Sequence, residues 1–279
     1  MTVGALIFAQ NNTGVDYIQL AVYAASRVRE FLEIPVTLAT DNTRWLESQY
    51  KNHEFDQVVK LSPAGSSVKS FYDGAISSKY LEWKNATRYQ AYELSPYETT
   101  LVIDSDYIIN SPLLKSALSR ECNFQIYKKS LDLASWREQY KRINDYSVPF
   151  YWATAFIFKK NEITQAFFNL VSYIKHNWVY FRNLYEIEAP MFRNDYAFSI
   201  AIHIMNGKTD GGFAVDLPGT LVYTSDRDLL VKVDDSGMRF LIEKEKHLGE
   251  YILSKTTNLD VHVMNKMSLS RFITGGCGV

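Results

Sequence analysis

The stretch ETTLVIDSDYIINSPLL, residues 98–114, decides how this chain is read. Threonines, leucine, valine and isoleucine run without interruption into Asp104, and a second carboxylate, Asp106, follows one residue later. An unbroken run of this kind is what a strand covered on both faces looks like. Alternate residues of an extended segment face the same side, so Asp104 and Asp106 can point into one site. Two neighbouring carboxylates repel unless a cation or a shared proton relieves them. A hard divalent ion, Mn²⁺ or Mg²⁺, is the natural relief, and it would share these ligands with substrate phosphates. The competing reading is an Asx turn that merely closes the strand.

The flanking chain supplies a sheet for that strand to join. VGALIFA (residues 3–9) is a second near-continuous apolar run. Val15, Ile18, Val22, Ala25, Val28 and Leu32 then recur at helical spacing, with Thr13 as the expected N-cap. PVTLATD (35–41) and QVVKL (57–61) read as further strands, and strand–helix–strand at this spacing predicts a parallel sheet. Residues 62–71 read as a loop, and a helix is expected over 78–94. Ser111-Pro112 should open a short helix, with proline in the first turn. NFQIY (123–127) and ATAFIFKK (153–160) read as strands, separated by an aromatic, charged excursion over 131–151. Asn161 is placed to cap a helix with Ile163, Phe167, Leu170, Val171 and Ile174 on its apolar face, and another helix is expected over 194–205. LLVKVDDSGMRFLIE has hairpin chemistry around Asp-Ser-Gly, and LDVHVMNK (259–266) is a late strand carrying His262. Nothing marks an internal boundary, so one α/β domain over residues 1–279 is expected.

Composition narrows the function classes. With 47% hydrophobic and 14% aromatic residues, the 279-residue chain can build a large core, which excludes global disorder. A net charge of −1 gives no general pull towards nucleic acid or anionic membranes. Two cysteines, Cys122 and Cys277, exclude a disulfide framework and a cysteine-based zinc site. The first residues lack the charged start of a signal peptide, and no apolar run is long enough for a membrane span, so a cytoplasmic protein is expected.

In open α/β sheets, ligands bind beyond the carboxyl ends of the strands. Gln10-Asn11-Asn12, Asp41, Asp104-Ser105-Asp106 and His262 all fall at or near such ends, so polar groups from separate strands can converge on one crevice. His262, within the alternation of Val261, Val263 and Met264, reads either as a packing residue or as the third ligand of a Mn²⁺-type site. Lys266 is then placed to meet a phosphate as a point charge.

In their order along the chain, these segments resemble the GT-A glycosyltransferases, in particular the glycogenin-like and galactosyltransferase-like members of retaining family eight. ALIFAQNNTGVDY is similar to the family's first strand and nucleotide loop. KNATRYQAYELSPYETTLVIDSD resembles its basic helix running into the DxD strand end. WATAFIFKK, FRNDYAFSIAI and HVMNK stand where the family has its sugar-site strand, an acidic helix start and the metal-site histidine.

The resemblance implies a GT-A fold with a Rossmann-like, mixed, mostly parallel sheet flanked by helices. It further implies a nucleoside diphosphate sugar donor, bound with Mn²⁺ or Mg²⁺ on Asp104, Asp106 and His262. Asp104 and Ser105 would also approach the ribose or sugar. Arg88 would contact the sugar or its phosphates, Lys266 the phosphates, and Asn11, Asn12 and Asp16 or Tyr17 the base and ribose. Asp195 would stand nearest the anomeric carbon. The family retains anomeric configuration; in an inverting enzyme Asp195 would instead be a candidate general base.

The chain departs from the family pattern at three places. His262-Val263-Met264-Asn265-Lys266 replaces His-x-x-Gly-x-x-Lys, Ala153-Thr154-Ala155 replaces Asn-Ala/Ser-Gly, and Asn194-Asp195 replaces Asp-Gln. The acceptor stays open among a glycan, a protein and a modified DNA base. Residues 135–152, with Trp136, Tyr140, Tyr146, Phe150, Tyr151 and Trp152, read as an acceptor-side wall or as satellite core, and Arg137, Lys141 and Arg142 leave room for a phosphate-bearing acceptor. A sugar nucleotidylyltransferase and a non-catalytic nucleotide-sugar-binding protein are the rival readings. The first expects a glycine-rich basic loop where this chain has QNNTGVD.

Overall fold

The computed structural model describes residues 2–62, 65, 67–85, 87–144, 148–245 and 247–275. Tyr146 and Cys277 lie outside the described residues. The chain runs β1 (Val3–Ala9), α1 (Tyr17–Leu32), β2 (Val36–Thr40), α2 (Thr43–Gln49), β3 (Gln57–Lys60), β4 (Ser67–Asp73) and β5 (Ser77–Trp83). A 3-10 turn over Arg88–Gln90 leads through α3 (Ala91–Leu94) into β6 (Thr99–Asp104), β7 (Tyr107–Ile108), α4 (Lys115–Leu118), β8 (Phe124–Tyr127) and β9 (Ser130–Asp132). Then come β10 (Trp152–Lys159), α5 (Glu162–His176), α6 (Trp178–Leu184), α7 (Asn194–Met205), β11 (Ala214–Asp216) and β12 (Leu221–Tyr223). The chain closes with β13 (Leu229–Asp234), β14 (Gly237–Glu243), β15 (Tyr251–Thr256), β16 (Val261–His262) and α8 (Lys266–Ile273).

A seven-stranded sheet in the order β11-β8-β10-β6-β1-β2-β3 forms the centre. All its strands run one way except β10, which is antiparallel to both neighbours. Ala5, Ile7 and Ala9 pack under α1, while Leu6 and Phe8 face the opposite layer of α5 and α7. Helices on both faces are why these strands read as continuous apolar runs. The reversal of β10 brings its first residues, Trp152 to Thr154, to the sheet edge where β6 ends at Asp104. The fold class is therefore the mixed, mostly parallel α/β arrangement expected.

A smaller sheet, β7-β16-β12-β9, sits beyond that edge and joins distant parts of the chain. His262 pairs with Tyr107 in the antiparallel β7–β16 ladder, and the Val263 amide donates to the Asp106 carbonyl at 2.9 Å. The remaining strands form the β13-β14-β15 meander and the isolated β4–β5 hairpin.

Several local expectations are corrected. Residues 67–73 form β4 and not loop, and residues 77–83 form β5, so helix begins only at the 3-10 turn at Arg88. Each strand buries a single residue, Phe71 in β4 and Leu81 in β5, too few to write the apolar alternation that normally betrays a strand. Asp16, not Thr13, caps α1, accepting from the Ile18 and Gln19 amides. Pro112 precedes α4 by a turn and is not its first residue. The late strand is only Val261–His262, because Asn265 already caps α8. Asn161 caps α5 as expected, in a reciprocal capping box with Thr164.

Candidate active site

Asp104 ends β6, and Asp106 closes the two-residue link into β7. The β7–β16 pairing sets His262 against them across a separation of 156 residues in sequence. One ligand atom from each of the three lies within 4.8 Å of the others. His262 Nε2 is 3.3 Å from an Asp106 oxygen and 3.9 Å from an Asp104 oxygen. Asp106 is only 4% exposed and His262 8%. Donors on opposite sides of an octahedral Mg²⁺ would be about 4.2 Å apart, so small side-chain movements would close this set on an ion. Two carboxylates with an imidazole are a donor set that could hold a metal ion.

Fixed cations already meet the two carboxylates. Lys266 Nζ lies 2.6 Å from Asp106 Oδ2 and also donates to the Met264 carbonyl. Burial by itself would raise the Asp106 pKa, but the Lys266 ammonium and His262 hold the carboxyl well below its usual range. Asn265 explains the lysine's position: its side chain accepts from Ser268 N, starting α8 so that Lys266 is the first helical residue. Arg88, 3% exposed, touches Asp104 through Nη2 and donates from Nη1 to the Ala153 carbonyl at 2.8 Å. Burial pulls its guanidinium down to about 10 against the opposing pull of Asp195 and Asp106.

Asp195 stands in the first turn of α7. It accepts from Ala153 N at 2.9 Å and pairs with Arg193 at 2.6 Å. Ala153 thus ties both its polar backbone atoms to site side chains, the carbonyl to Arg88 and the amide to Asp195. Thr154 Oγ1 lies 3.5 Å from His262 Nδ1.

The three candidate ligands, with Arg88, Lys266, Thr154, Arg193 and Asp195, line one cavity of about 610 Å³. Of the residues singled out from sequence, Tyr17, Arg88, Asp104, Ser105, Asp106, Asp195, His262 and Lys266 line it together. Asn11 and Asn12 do not line it. Asn11 bonds Asp16 and Ile18 N, while Asn12 accepts from the Gly14 and Val15 amides and donates to the Glu82 carbonyl. Asp16, the alternative to Tyr17, is taken up by the α1 cap, Trp45 and Tyr50. In the aromatic segment, Phe150, Tyr151 and Trp152 are buried, and Tyr140 and Trp152 also line the cavity. Arg137, Lys141 and Arg142 are exposed and do not line it.

Sequence reasoning missed the hairpin wall, Lys69 and Phe71 on β4 with Trp83 and the adjacent Lys84, because β4 and β5 were not recognised as strands. The Asp73-Gly74 pair, a hairpin-turn signature, was the available signal. Gln10, expected at a strand end facing the crevice, was given no role of its own. It lines the cavity with a buried Nε2 that has no partner among the described residues.

No family model matches the chain, and no curated protein matches it in sequence. Among solved structures it is similar over 78% of its length to the glycosyltransferase GlyE of Streptococcus pneumoniae TIGR4, at 12% identity and a TM-score of 0.42. That match covers 46% of the GlyE chain, so this chain spans about half the length of that protein. An active-site mutant of LgtC aligns over 77% of this chain and 72% of its own, at 12% identity and a TM-score of 0.47. The 4-diphosphocytidyl-2C-methyl-D-erythritol synthase of Anaerococcus prevotii DSM 20548 aligns over 77% and 88%, at 13% identity and a TM-score of 0.37. No helix among the described residues is long and apolar enough to cross a membrane.

Proposed function

We propose that this chain is a metal-dependent glycosyltransferase that moves a sugar from a nucleoside diphosphate sugar to an acceptor hydroxyl. The observation that carries the reading is the convergence of Asp104, Asp106 and His262 with Arg88 and Lys266 in one cavity at the carboxyl edge of the sheet. Phosphoryl oxygens need cations, and a hard cation needs carboxylates; this cavity provides both within one wall.

A Mn²⁺ or Mg²⁺ bound on the three ligands would neutralise charge on the departing diphosphate. Lys266 holds its charge next to the same place, so it orients phosphate oxygens and shares that stabilisation. Arg88 is fixed by Asp104 and the Ala153 carbonyl, which leaves its position independent of side-chain flexibility. Its Nε, buried and without a partner among the described residues, can donate to the donor. Asp195, held by Ala153 N and Arg193, presents a fixed carboxylate for orienting sugar or acceptor hydroxyls. Retention of configuration belongs to this proposal, as does an acceptor among the glycan, protein and modified-base classes.

The test is a thermal shift with a panel of nucleoside diphosphates, with and without Mn²⁺, followed by hydrolysis of the corresponding nucleotide sugars. A metal-dependent rise in melting temperature and release of free sugar are expected. Binding without any sugar release would make the chain a nucleotide-sugar-binding protein, and no shift with any diphosphate would overturn the reading.

A further inference from the structure

The β4–β5 hairpin belongs to no larger sheet, yet it is fixed in place. At its turn, Asp73 makes a two-pronged ion pair with Arg271 of α8, at 2.7 and 2.8 Å. The Ala75 amide donates to the Tyr251 hydroxyl of β15 at 2.8 Å. Gly74 takes a φ of +74° to make that turn, a conformation that favours glycine. The strand so anchored carries Lys69 into the cavity wall, with its ammonium 4.9 Å from the Phe71 ring and 5.9 Å from the Trp83 ring.

Among the described residues, the Lys69 ammonium makes no ion pair or hydrogen bond, only these ring contacts. Burial, followed by the nearby charge of Lys266, pulls its ammonium down to about 8, with Arg193 pressing in the same direction and Asp106 and Asp226 opposing. Lysines 69 and 266 and arginines 88 and 193 line the cavity against aspartates 104, 106, 195 and 226, while Lys84 is taken up by Asp41 and Glu82 at 3.5 Å. A divalent ion on the three ligands would leave an excess of two positive charges. A lysine placed in such a surplus, without an acidic partner of its own, is stabilised when an anionic ligand arrives.

We infer that Lys69 is a phosphate-binding residue, which with Lys266 grips the diphosphate of the donor from the hairpin side of the cavity. The inference rests on the donor reading above, and it adds a contact that none of the ordered motifs contains. The flanking Phe71 and Trp83 rings keep water from the ammonium and hold it in register, so its charge acts at low screening.

The experiment measures binding by calorimetry to UDP, GDP, ADP, CDP and dTDP, each with Mn²⁺, then to the nucleoside of the tightest binder and to inorganic pyrophosphate. Lys69→Ala should weaken the diphosphate by at least about tenfold, as expected for a lost hydrogen bond to a charged group. Nucleoside binding and melting temperature should stay as in the unaltered chain, and Lys69→Arg should bind within about threefold of it. Equal diphosphate affinity in Lys69→Ala, or parallel loss of nucleoside and diphosphate, overturns the inference and leaves the donor reading intact. If no diphosphate binds the unaltered chain but pyrophosphate does so in a Lys69-dependent way, the donor reading falls and the anion site stands. If neither binds, both fall.

Discussion

Two polar clusters sit at carboxyl ends of neighbouring parallel strands, and only one of them is a candidate site. After β1, Asn11, Asn12 and Asp16 satisfy one another, the start of α1 and the side chains of Trp45 and Tyr50. After β6, Asp104 and Asp106 face a histidine and two cations across a cavity, with ligand atoms in reach of one another. Residue types are similar in the two places. What differs is whether the local backbone consumes the lone pairs. A loop that must turn and cap a helix uses its side chains for that purpose. Where β6 passes through a two-residue turn into β7, no helix start draws on Asp104 or Asp106, and both line the cavity.

The largest effect should come from Asp106→Ala. It removes a central ligand of the candidate ion and the partner of Lys266. The metal-dependent thermal shift should vanish, and sugar release should fall by more than about 100-fold, beyond the roughly 10–100-fold typical of residues that only orient a metal ligand. An Asp106→Ala variant that keeps its Mn²⁺-dependent response would erase the contrast between the clusters.

Arg88→Ala should cost about 3–5 kcal/mol of folding stability, because it leaves Asp104 without its buried partner. Urea denaturation at neutral pH measures this. A cost under about 1 kcal/mol would mean that the pair behaves like an exposed one.

The same contrast explains what could be read in advance. The central strands were legible because burial on both faces wrote itself as apolar runs, and β1 and β6 have the boundaries expected. Asp104, Asp106 and His262 were legible as a set through the order of motifs, although the two-residue β7–β16 ladder that unites them carries almost no local signal. The β4–β5 hairpin was not legible, since strands that bury only one residue each show no apolar periodicity, and Lys69 disappeared with it. Asn11 and Asn12 stand outside the cavity because their side chains go to the turn, and a sequence does not show which lone pairs a turn will use.

Asp260 extends the comparison to a buried carboxylate with donors but, among the described residues, no cation paired to it. It accepts from Asn110 N and Ser111 Oγ, and burial still pushes its pKa up to about 6. An unfolded aspartic acid releases its proton near 4. Between those values the native state binds the extra proton, so stability falls as pH rises through the window. Asp228, also raised to about 6 by burial, adds the same slope. Asp260→Asn should therefore remove a pH dependence worth about 3 kcal/mol over the whole window, of which about 2 kcal/mol falls between pH 4.5 and 6.5. Denaturation at pH 4.5 and 6.5 reads it, and an unchanged difference between the two would show that Asp260 titrates normally.

Asp16→Ala should have the smallest effect and the most diagnostic pattern. The carboxylate accepts from the Ile18 and Gln19 amides, Asn11, Trp45 and Tyr50 at 2.7–3.1 Å. Losing the cap should cost about 1–2 kcal/mol. The nucleoside diphosphate response with Mn²⁺ should persist, shifted only by the lower starting melting temperature, because these bonds hold a loop and not a ligand. If Asp16→Ala instead abolished that response at unchanged stability, the saturated cluster would be part of the site after all. Satisfied lone pairs would then be a poor guide to which strand ends bind, and the reading of Asp104 and Asp106 would rest on their neighbouring cations alone.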